Sequence, residues 1–477
     1  MKNIKMIAEF LIKSKAKALF ILFFSMSAAL PTFAAIPIEQ WSLPNGAQVY
    51  LVQSPGIPMV DVQIDFDAGG RRDPAAQSGL ASVTAGMNNN GTEAQAADPA
   101  KGLAAAPAID ENAVSEAWAD LGASFSASAG PDRMSFALRT LTDPGLLAKA
   151  TALAARQLGH PSFPQTVWER DRQRLVASLE EANRRVGTVA ARAYGKALYG
   201  SHPYGQEMTA QTLAAISVAD MARFYRQSIV PCRARLTVVG AVNRAQAEAL
   251  AAALLARLPG ADAAGQACTT PNAANAVQFP RTPVPEVQPL RAAQEIRIPF
   301  ESAQAHVLMG QPGYKRDDPD HFALTVGNYI LGGGGFVSRL TEAVREKRGL
   351  SYSVSSHFSP GLHAGAFTVG LQTRPDQAVQ ALAVAREVLA RFVAEGPTEA
   401  ELRAAKDNLI GGFPLLIDSN AKLLGNVANI AWNNLPLNYL DTWTQQVEAL
   451  TVADVKAAFA RKLQPEKMVT VIVGGTP

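Results

Sequence analysis

Cysteine is almost missing from this chain. Cys232 and Cys268 are the only two in 477 residues. That excludes a cysteine-based metal site, and a chain of this size needs no disulfide staple to hold a core. One bridge and two separate thiols both stay open, because spacing alone does not decide pairing. Histidine is scarce as well. The six are His160, His202, His306, His321, His357 and His363, and no two stand four residues apart, the spacing that puts two imidazoles on one helix face. His357 and His363 are close in sequence but bracket a Ser-Pro-Gly turn with no acidic residue beside them. A charge excess is lacking too. With 44 Lys+Arg against 41 Asp+Glu the formal net charge is +3, which excludes a strongly basic nucleic-acid binder. What is present is apolar: 48% hydrophobic against 18% charged residues rules out a disordered chain. The length corresponds to about two to four domains.

The N-terminus carries Lys2, Lys5, Lys13, Lys15 and Lys17, followed by the apolar run Ala18–Leu30. At about 13 residues this run is shorter than the roughly 20 a membrane helix needs. Pro31 breaks it, and Thr32-Phe33-Ala34-Ala35 supplies small residues for cleavage. Residues 1–35 therefore read as a secretory signal peptide cut after Ala34 or Ala35, with an uncleaved anchor as the alternative. The implied destination is the periplasm. No later stretch is long and apolar enough to span a bilayer.

The mature chain repeats itself. ISVADMARFYRQSIVPCRARLTVVG (Ile216–Gly240) aligns without a gap to LTVADVKAAFARKLQPEKMVTVIVG (Leu450–Gly474), about 234 residues later. Ser217 and Thr451 are candidate helix N-caps, and Asp220 and Asp454 stand three positions on, as in a capping box. Each helix is expected to stop before Pro231 or Pro465, and a β-branched strand follows. Duplication divides the chain into an N-terminal domain (residues 36–255) and a C-terminal domain (residues 294–477). Residues 256–293, largely Pro259–Leu290, are rich in Pro, Ala, Asn and Thr without a hydrophobic period and read as a linker.

Strand patterns cover Gln48–Gln53, Met59–Phe66, Arg133–Leu141, AHVLMGQPG, LSYSVSSHF and AFTVGLQT. Helical patterns cover Pro144–Leu158, Val167–Arg185, Asp376–Ala394 and Thr398–Leu409. Strand pairs interrupted by long helices predict an α+β fold: two homologous domains, each a mostly antiparallel sheet with helices packed on one face.

The sharpest motif is GGGGFVSRLTEAVREKRGLSYSVSSHF (Gly332–Phe358). Four glycines make a turn, SRLTEAVREKRG has helical spacing, and LSYSVSSHF alternates as a strand. The glycines lack the Lys-Ser/Thr of a phosphate-binding loop. This segment resembles the C-terminal half of the M16 family of zinc metallopeptidases, the pitrilysin-like and mitochondrial-processing-peptidase-like enzymes. LPNGAQVYLV, the AGGRRDP loop, the His202–Gly205 turn and the duplicated domain ends extend the resemblance over nearly the whole mature chain. It implies two homologous M16-like α+β domains per chain and a clamshell closed by two chains. It also implies that Arg345 and Tyr352 donate hydrogen bonds to a substrate carbonyl as it becomes an oxyanion. The glycine loop Gly332, Gly333, Gly334 and Gly335 either orients the peptide or is a plain tight turn.

The family's zinc helix carries H-x-x-E-H, in which two His bind the metal and the Glu acts as general base. Here the matching stretch is Gly79-Leu80-Ala81-Ser82-Val83-Thr84-Ala85-Gly86-Met87, so Ser82, Ala85 and Gly86 occupy the His, Glu and His positions. The third family ligand would fall at Glu180 or Glu181. One carboxylate is not a zinc site, and the resemblance therefore implies a chain that binds no metal itself. Its zinc is expected in a second, H-x-x-E-H-bearing M16 subunit, with unfolded peptides as substrate. Two alternatives stand beside this reading: a structural or assembly subunit, like the M16-derived core proteins of a respiratory complex, and a peptide-binding protein without a peptidase partner.

Overall fold

Along Met59–Phe66 the residues Val60, Val62, Ile64 and Phe66 are buried in an apolar core, while Asp61, Gln63 and Asp65 point to the opposite face. This period-2 alternation is what a two-sided strand requires. It recurs through both halves of the computed structural model, which describes residues 36–99, 104–259 and 283–475. The expected signal peptide, Cys268 and most of the expected linker lie outside the described residues. Cys232 is disulfide-bonded.

The first half contains β1 (Glu39–Ser42), β2 (Gln48–Gln53), β3 (Met59–Phe66), α1 (Leu80–Met87), α2 (Glu111–Asp120), β4 (Ser124–Ala129), β5 (Met134–Leu141), α3 (Pro144–Gly159), α4 (Gln165–Ala182), α5 (Val186–Tyr199), α6 (Val218–Ser228), β6 (Arg235–Gly240) and α7 (Arg244–Leu255). The second contains β7 (Gln294–Ile298), β8 (Ala305–Pro312), α8 (His321–Asn328), β9 (Ser353–Phe358), β10 (Ala366–Thr373), α9 (Ala378–Glu395), α10 (Glu399–Gly412), α11 (Asn420–Trp432), α12 (Tyr439–Ala449), α13 (Val452–Lys462) and β11 (Val469–Val473). The first sheet has the order β1-β2-β6-β3-β5-β4 and the second β9-β10-β8-β11-β7. Apart from the added β1, one order is the other reversed. In each sheet a single pair is parallel, β2 with β6 and β7 with β11. The fold is thus α+β, with mostly antiparallel sheets.

The duplicated segments fold alike. Ser217 accepts from the Asp220 N–H at 3.1 Å and the Asp220 carboxylate accepts from the Ser217 N–H at 3.0 Å. Thr451 and Asp454 repeat this at 3.2 and 2.9 Å. Such a cap contributes about 1 kcal/mol. Two local expectations shift. The helical run Val167–Arg185 stops at Ala182, and α5 starts at Val186. The strand in LSYSVSSHF starts at Ser353, which leaves Tyr352 ahead of it.

Each sheet packs its own helices on one face. Ala150, Ala154 and Leu158 of α3 and Met221, Phe224 and Tyr225 of α6 pack in the first core. Ala381, Ala385, Leu389 and Phe392 of α9 and Val455 and Phe459 of α13 pack in the second. The other face receives a helix from the opposite half. Ala190, Tyr194 and Leu198 of α5 bury against Val469, Val471 and Val473 of β11. The Tyr194 hydroxyl donates to the Phe367 carbonyl at 3.0 Å. Gly310 is required there, because a Cβ would lie 2.2 Å from that hydroxyl oxygen. Reciprocally, α11 lies over β3 and β6 of the first sheet. Its last turn exposes backbone carbonyls, and arginines meet them: Arg235 donates to Ala431 at 2.8 Å and also to Trp432. Arg133 and Arg235 both lie over the Trp432 ring, at 5.5 and 5.3 Å. Cations at a helix C-terminus meet the negative end of its dipole.

A second tie uses the AGGRRDP loop and the His202–Gly205 turn. Arg71 and Arg72 pair with Asp67, and Arg71 also reaches Asp132 at 3.1 Å. Tyr204 donates to Asp132 at 2.6 Å, and the other Asp132 oxygen accepts from the Leu362 N–H of the second half at 3.0 Å. His202 Nδ1 accepts from the Tyr204 N–H at 3.1 Å, so its Nε2–H faces the Pro285 carbonyl at 2.9 Å. The His363 ring lies 5.3 Å from that of His202, and its Nδ1 is 3.2 Å from Glu286.

Replacing Trp432 with Ala removes the buried ring that both arginines cover. It is expected to lower unfolding free energy by about 3–5 kcal/mol, read from urea denaturation. Burial holds the His202 imidazole below its ordinary pKa, and His363 adds to this, against the Pro285 carbonyl, Glu286 and Asp132. The folded state thus favours neutral His202. Its contribution is present above about pH 6.5 and is lost as pH falls below that unfolded-state value. Melting temperature against pH should show this acid limb, shallower in His202→Gln.

Candidate functional site

Helix α1 is where a zinc-binding pair would stand. Its entry is made by Gly79, at φ +103°, and by Asp73, whose carboxylate accepts from the Gly79 and Ala81 N–H groups at 2.8 and 2.9 Å. Burial pushes the Asp73 carboxyl up to about 6, against the lowering effect of those bonds. Ser82 and Gly86 share the exposed face one turn apart, and Ala85 is buried at 1% exposure. Glu180 and Glu181 are exposed on the last turn of α4. A hydroxyl, a hydrogen and a buried methyl supply neither imidazoles nor a base, so the residues present do not fit a zinc ion. Among the described residues no group of three or more His, Cys, Asp or Glu is placed to hold a metal.

The histidines are dispersed. His160 ends α3, His306 stands on β8 against Gly187, and His357 lies on β9. His321 opens α8 with its Nδ1 3.0 Å from the Tyr314 hydroxyl, and burial pushes its pKa down to about 3. His363 pairs spatially with His202, not with its sequence neighbour His357.

The glycine motif folds as a linked series of wide turns. After α8 the chain continues through Tyr329–Gly333, where the Gly334 N–H reaches back five residues to the Tyr329 carbonyl at 2.8 Å. The expected helix over SRLTEAVREKRG forms over residues 339–346, widened into a second π-turn at Thr341–Glu346, with the Lys347 N–H bonded to Glu342 at 2.9 Å. Wide turns of this kind are uncommon and concentrate at functional sites. Gly332 is packed against β9: a Cβ there would meet Ser356 at 2.5 Å. Asn328 and Thr341 side chains bond to the Ser356 and Val354 carbonyls. The glycine segment therefore closes the edge of the second sheet. Gly335 differs, with φ +63° and open space around it.

Arg345 projects from the second π-turn and Tyr352 from the bend after it. The structure brings the two together: the guanidinium carbon lies 4.8 Å from the centre of the Tyr352 ring. It also lies 4.7 Å from the ring of Phe336, a residue to which the sequence motif assigned no role. The signal for Phe336 was an apolar Phe-Val pair directly after a glycine turn with no helical stripe to join. Arg345 has an ion pair with the neighbouring Glu346, Nε to Oε1 at 3.2 Å. Tyr352 is 80% exposed. A cation and an exposed phenol ring, each with hydrogen-bond donors, are thus presented side by side.

Comparison with known proteins agrees with this architecture. A family model described as the peptidase M16 inactive domain matches residues 215–409. A crystal structure of a peptidase M16 inactive domain from Pseudomonas fluorescens superposes with a TM-score of 0.82 at 33% identity, covering 92% of this chain and 98% of that one. An uncharacterized zinc protease of Streptomyces coelicolor is 28% identical over 269 residues, 55% of each chain. The non-peptidase homolog YmxG of Helicobacter pylori is 32% identical over 158 residues, 32% of this chain and 36% of that one. The chain thus spans about half or less of the length of these two curated relatives.

The two faces of α1 predict opposite tolerances. Ser82→His with Gly86→His faces solvent and should leave stability within about 1 kcal/mol of the parent. Ala85→Glu buries an uncompensated carboxylate and should cost about 3–5 kcal/mol. Urea unfolding of the two variants checks both.

Proposed function

The chain belongs to the M16 peptidase family, and from that premise we propose that it is the zinc-free subunit of an exported, heterodimeric M16 metallopeptidase. The carrying observation is the asymmetry of its two candidate half-sites. Helix α1 offers Ser82, Ala85 and Gly86 where a metal site needs ligands, whereas Arg345 and Tyr352 stand together, accessible and equipped to donate. Two copies of this chain would hold no zinc. A partner M16 chain bearing H-x-x-E-H would supply the metal-activated water. This chain closes the chamber opposite it.

Within that chamber the roles of the residues follow from their chemistry. The substrate is an unfolded peptide, since an enclosed site excludes folded proteins. Arg345 donates through its in-plane N–H groups and Tyr352 through its hydroxyl to the carbonyl of the scissile bond. Both bonds strengthen as that oxygen takes on negative charge, so their effect is exerted on the transition state. The chain acts in the periplasm, reached through its N-terminal signal. Among the described residues no helix is long and apolar enough to cross a membrane.

Co-expression with a zinc-bearing M16 chain tests the proposal. Zinc and cleavage of a quenched peptide should appear only in the co-expressed complex. Arg345→Ala or Tyr352→Phe should lower kcat of that complex about 10²–10³-fold with zinc content unchanged. Stoichiometric zinc in the chain alone, or unchanged turnover in both variants, would overturn it.

A further inference from the structure

Three large apolar side chains stand exposed within one short stretch: Phe336 at 70%, Val337 at 76% and Tyr352 at 80%. Leaving such surface in water calls for a reason. Arg345 stands among them, its guanidinium carbon 4.7 Å from the Phe336 ring centre and 4.8 Å from that of Tyr352. Both separations are within cation–π range.

A comparison with Arg339, six residues earlier, shows what is unusual. Arg339 also lies over an aromatic ring, that of Phe392, at 5.0 Å. Its N–H groups are taken up as well, by both Glu401 oxygens at 2.7 Å and by the Gly396 carbonyl at 3.1 Å. Arg339 is thereby fastened at the expense of its donors. Arg345 meets two aromatic faces, and its ion pair to the half-exposed Glu346 comes nearest at Nε, 3.2 Å from Oε1. An arginine side chain carries about 2 kcal/mol of rotamer entropy, which ordering must offset. A carboxylate clamp would order it but would neutralise its charge and occupy the fork. Aromatic faces order the guanidinium plane and leave its edge free.

We propose that Phe336 is a positioning residue for Arg345, clamping the guanidinium together with Tyr352 so that its terminal N–H groups stay directed at substrate. The proposal rests on the function argued above for Arg345. The backbone supports it: Gly335, at φ +63°, turns the chain to present Phe336, and the Ser338 hydroxyl locks that turn by donating to the Gly335 carbonyl at 2.7 Å. Being exposed, Phe336 can be replaced without opening the core.

The clamp is tested first on the chain alone, by the rate at which phenylglyoxal modifies Arg345, followed by peptide mass mapping. Phe336→Leu keeps apolar bulk and loses the π face, so modification should accelerate about two- to fivefold. Phe336→Tyr keeps the face and should restore the parent rate, with Arg339 as an unchanged internal reference. Equal rates in all three proteins overturn the clamp. In the co-expressed complex, Phe336→Leu should lower kcat by a similar factor at constant KM and zinc content, with rescue by Phe336→Tyr. Turnover lowered by Arg345→Ala but untouched by Phe336→Leu overturns the positioning role alone. Turnover untouched by Arg345→Ala overturns the functional reading itself, and the purpose of the clamp with it.

Discussion

The reciprocal burial of one helix from each half on the other half's sheet is the constraint on which the structure depends. Helix α5 covers the second sheet and α11 covers the first. Without this exchange each sheet would present one bare face. For the second sheet that face is apolar, with Val469, Val471 and Val473. At roughly 1.5–3 kcal/mol per large side chain removed from water, its exposure would be costly. For the first sheet it mixes charge, with Asp61, Asp65 and Arg235, and buried apolar residues, Val52 and Val239, and α11 brings Val427, Ala428 and Ile430 to it together with the carbonyls that meet the arginines. The two contacts are topologically equivalent but chemically different.

That exchange explains where the motif residues went. The AGGRRDP loop and the His202–Gly205 turn, which carried part of the family resemblance, build the seam between halves through Arg71, Asp132, Tyr204 and Leu362. Their role in this chain is to fasten. Arg345 and Tyr352 lie away from the fastened residues, on a segment that closes a sheet edge with Gly332 and then turns outward at Gly335. The rigid and accessible parts of the chain are thus separated by where the glycines permit close packing and where they permit a reversed turn.

Much of this was legible in the residues. Period-2 patterns located β2, β3, β8 and β10, and the Ser217/Asp220 and Thr451/Asp454 spacings marked two helix starts that the structure realises as capping boxes. These features are local, set by sterics and hydrogen bonds within a few residues. Ser82, Ala85 and Gly86 could also be seen as chemically unfit for zinc, since composition alone decides that. Less was visible where packing overrides local preference. The basic stretch around Arg345 is helical as its spacing suggested, but widened to a π-helix over Thr341–Glu346, and Tyr352 falls outside the strand its alternation suggested. Several short strands and helices, β1, β7 and α8 among them, carry too few residues for a period to show.

The sequence by itself determined the duplication and the mixed α+β architecture, through residue identity and spacing; the family resemblance it carries singled out Ser82, Ala85 and Gly86 as unfit ligand positions and Arg345 and Tyr352 as a pair. The tertiary structure alone decided that α5 and α11 change sides, that His363 meets His202 and not His357, and that Phe336 joins Arg345 and Tyr352. Those contacts connect residues distant in sequence, or depend on a glycine turn whose direction only the packed chain selects. No local periodicity encodes them.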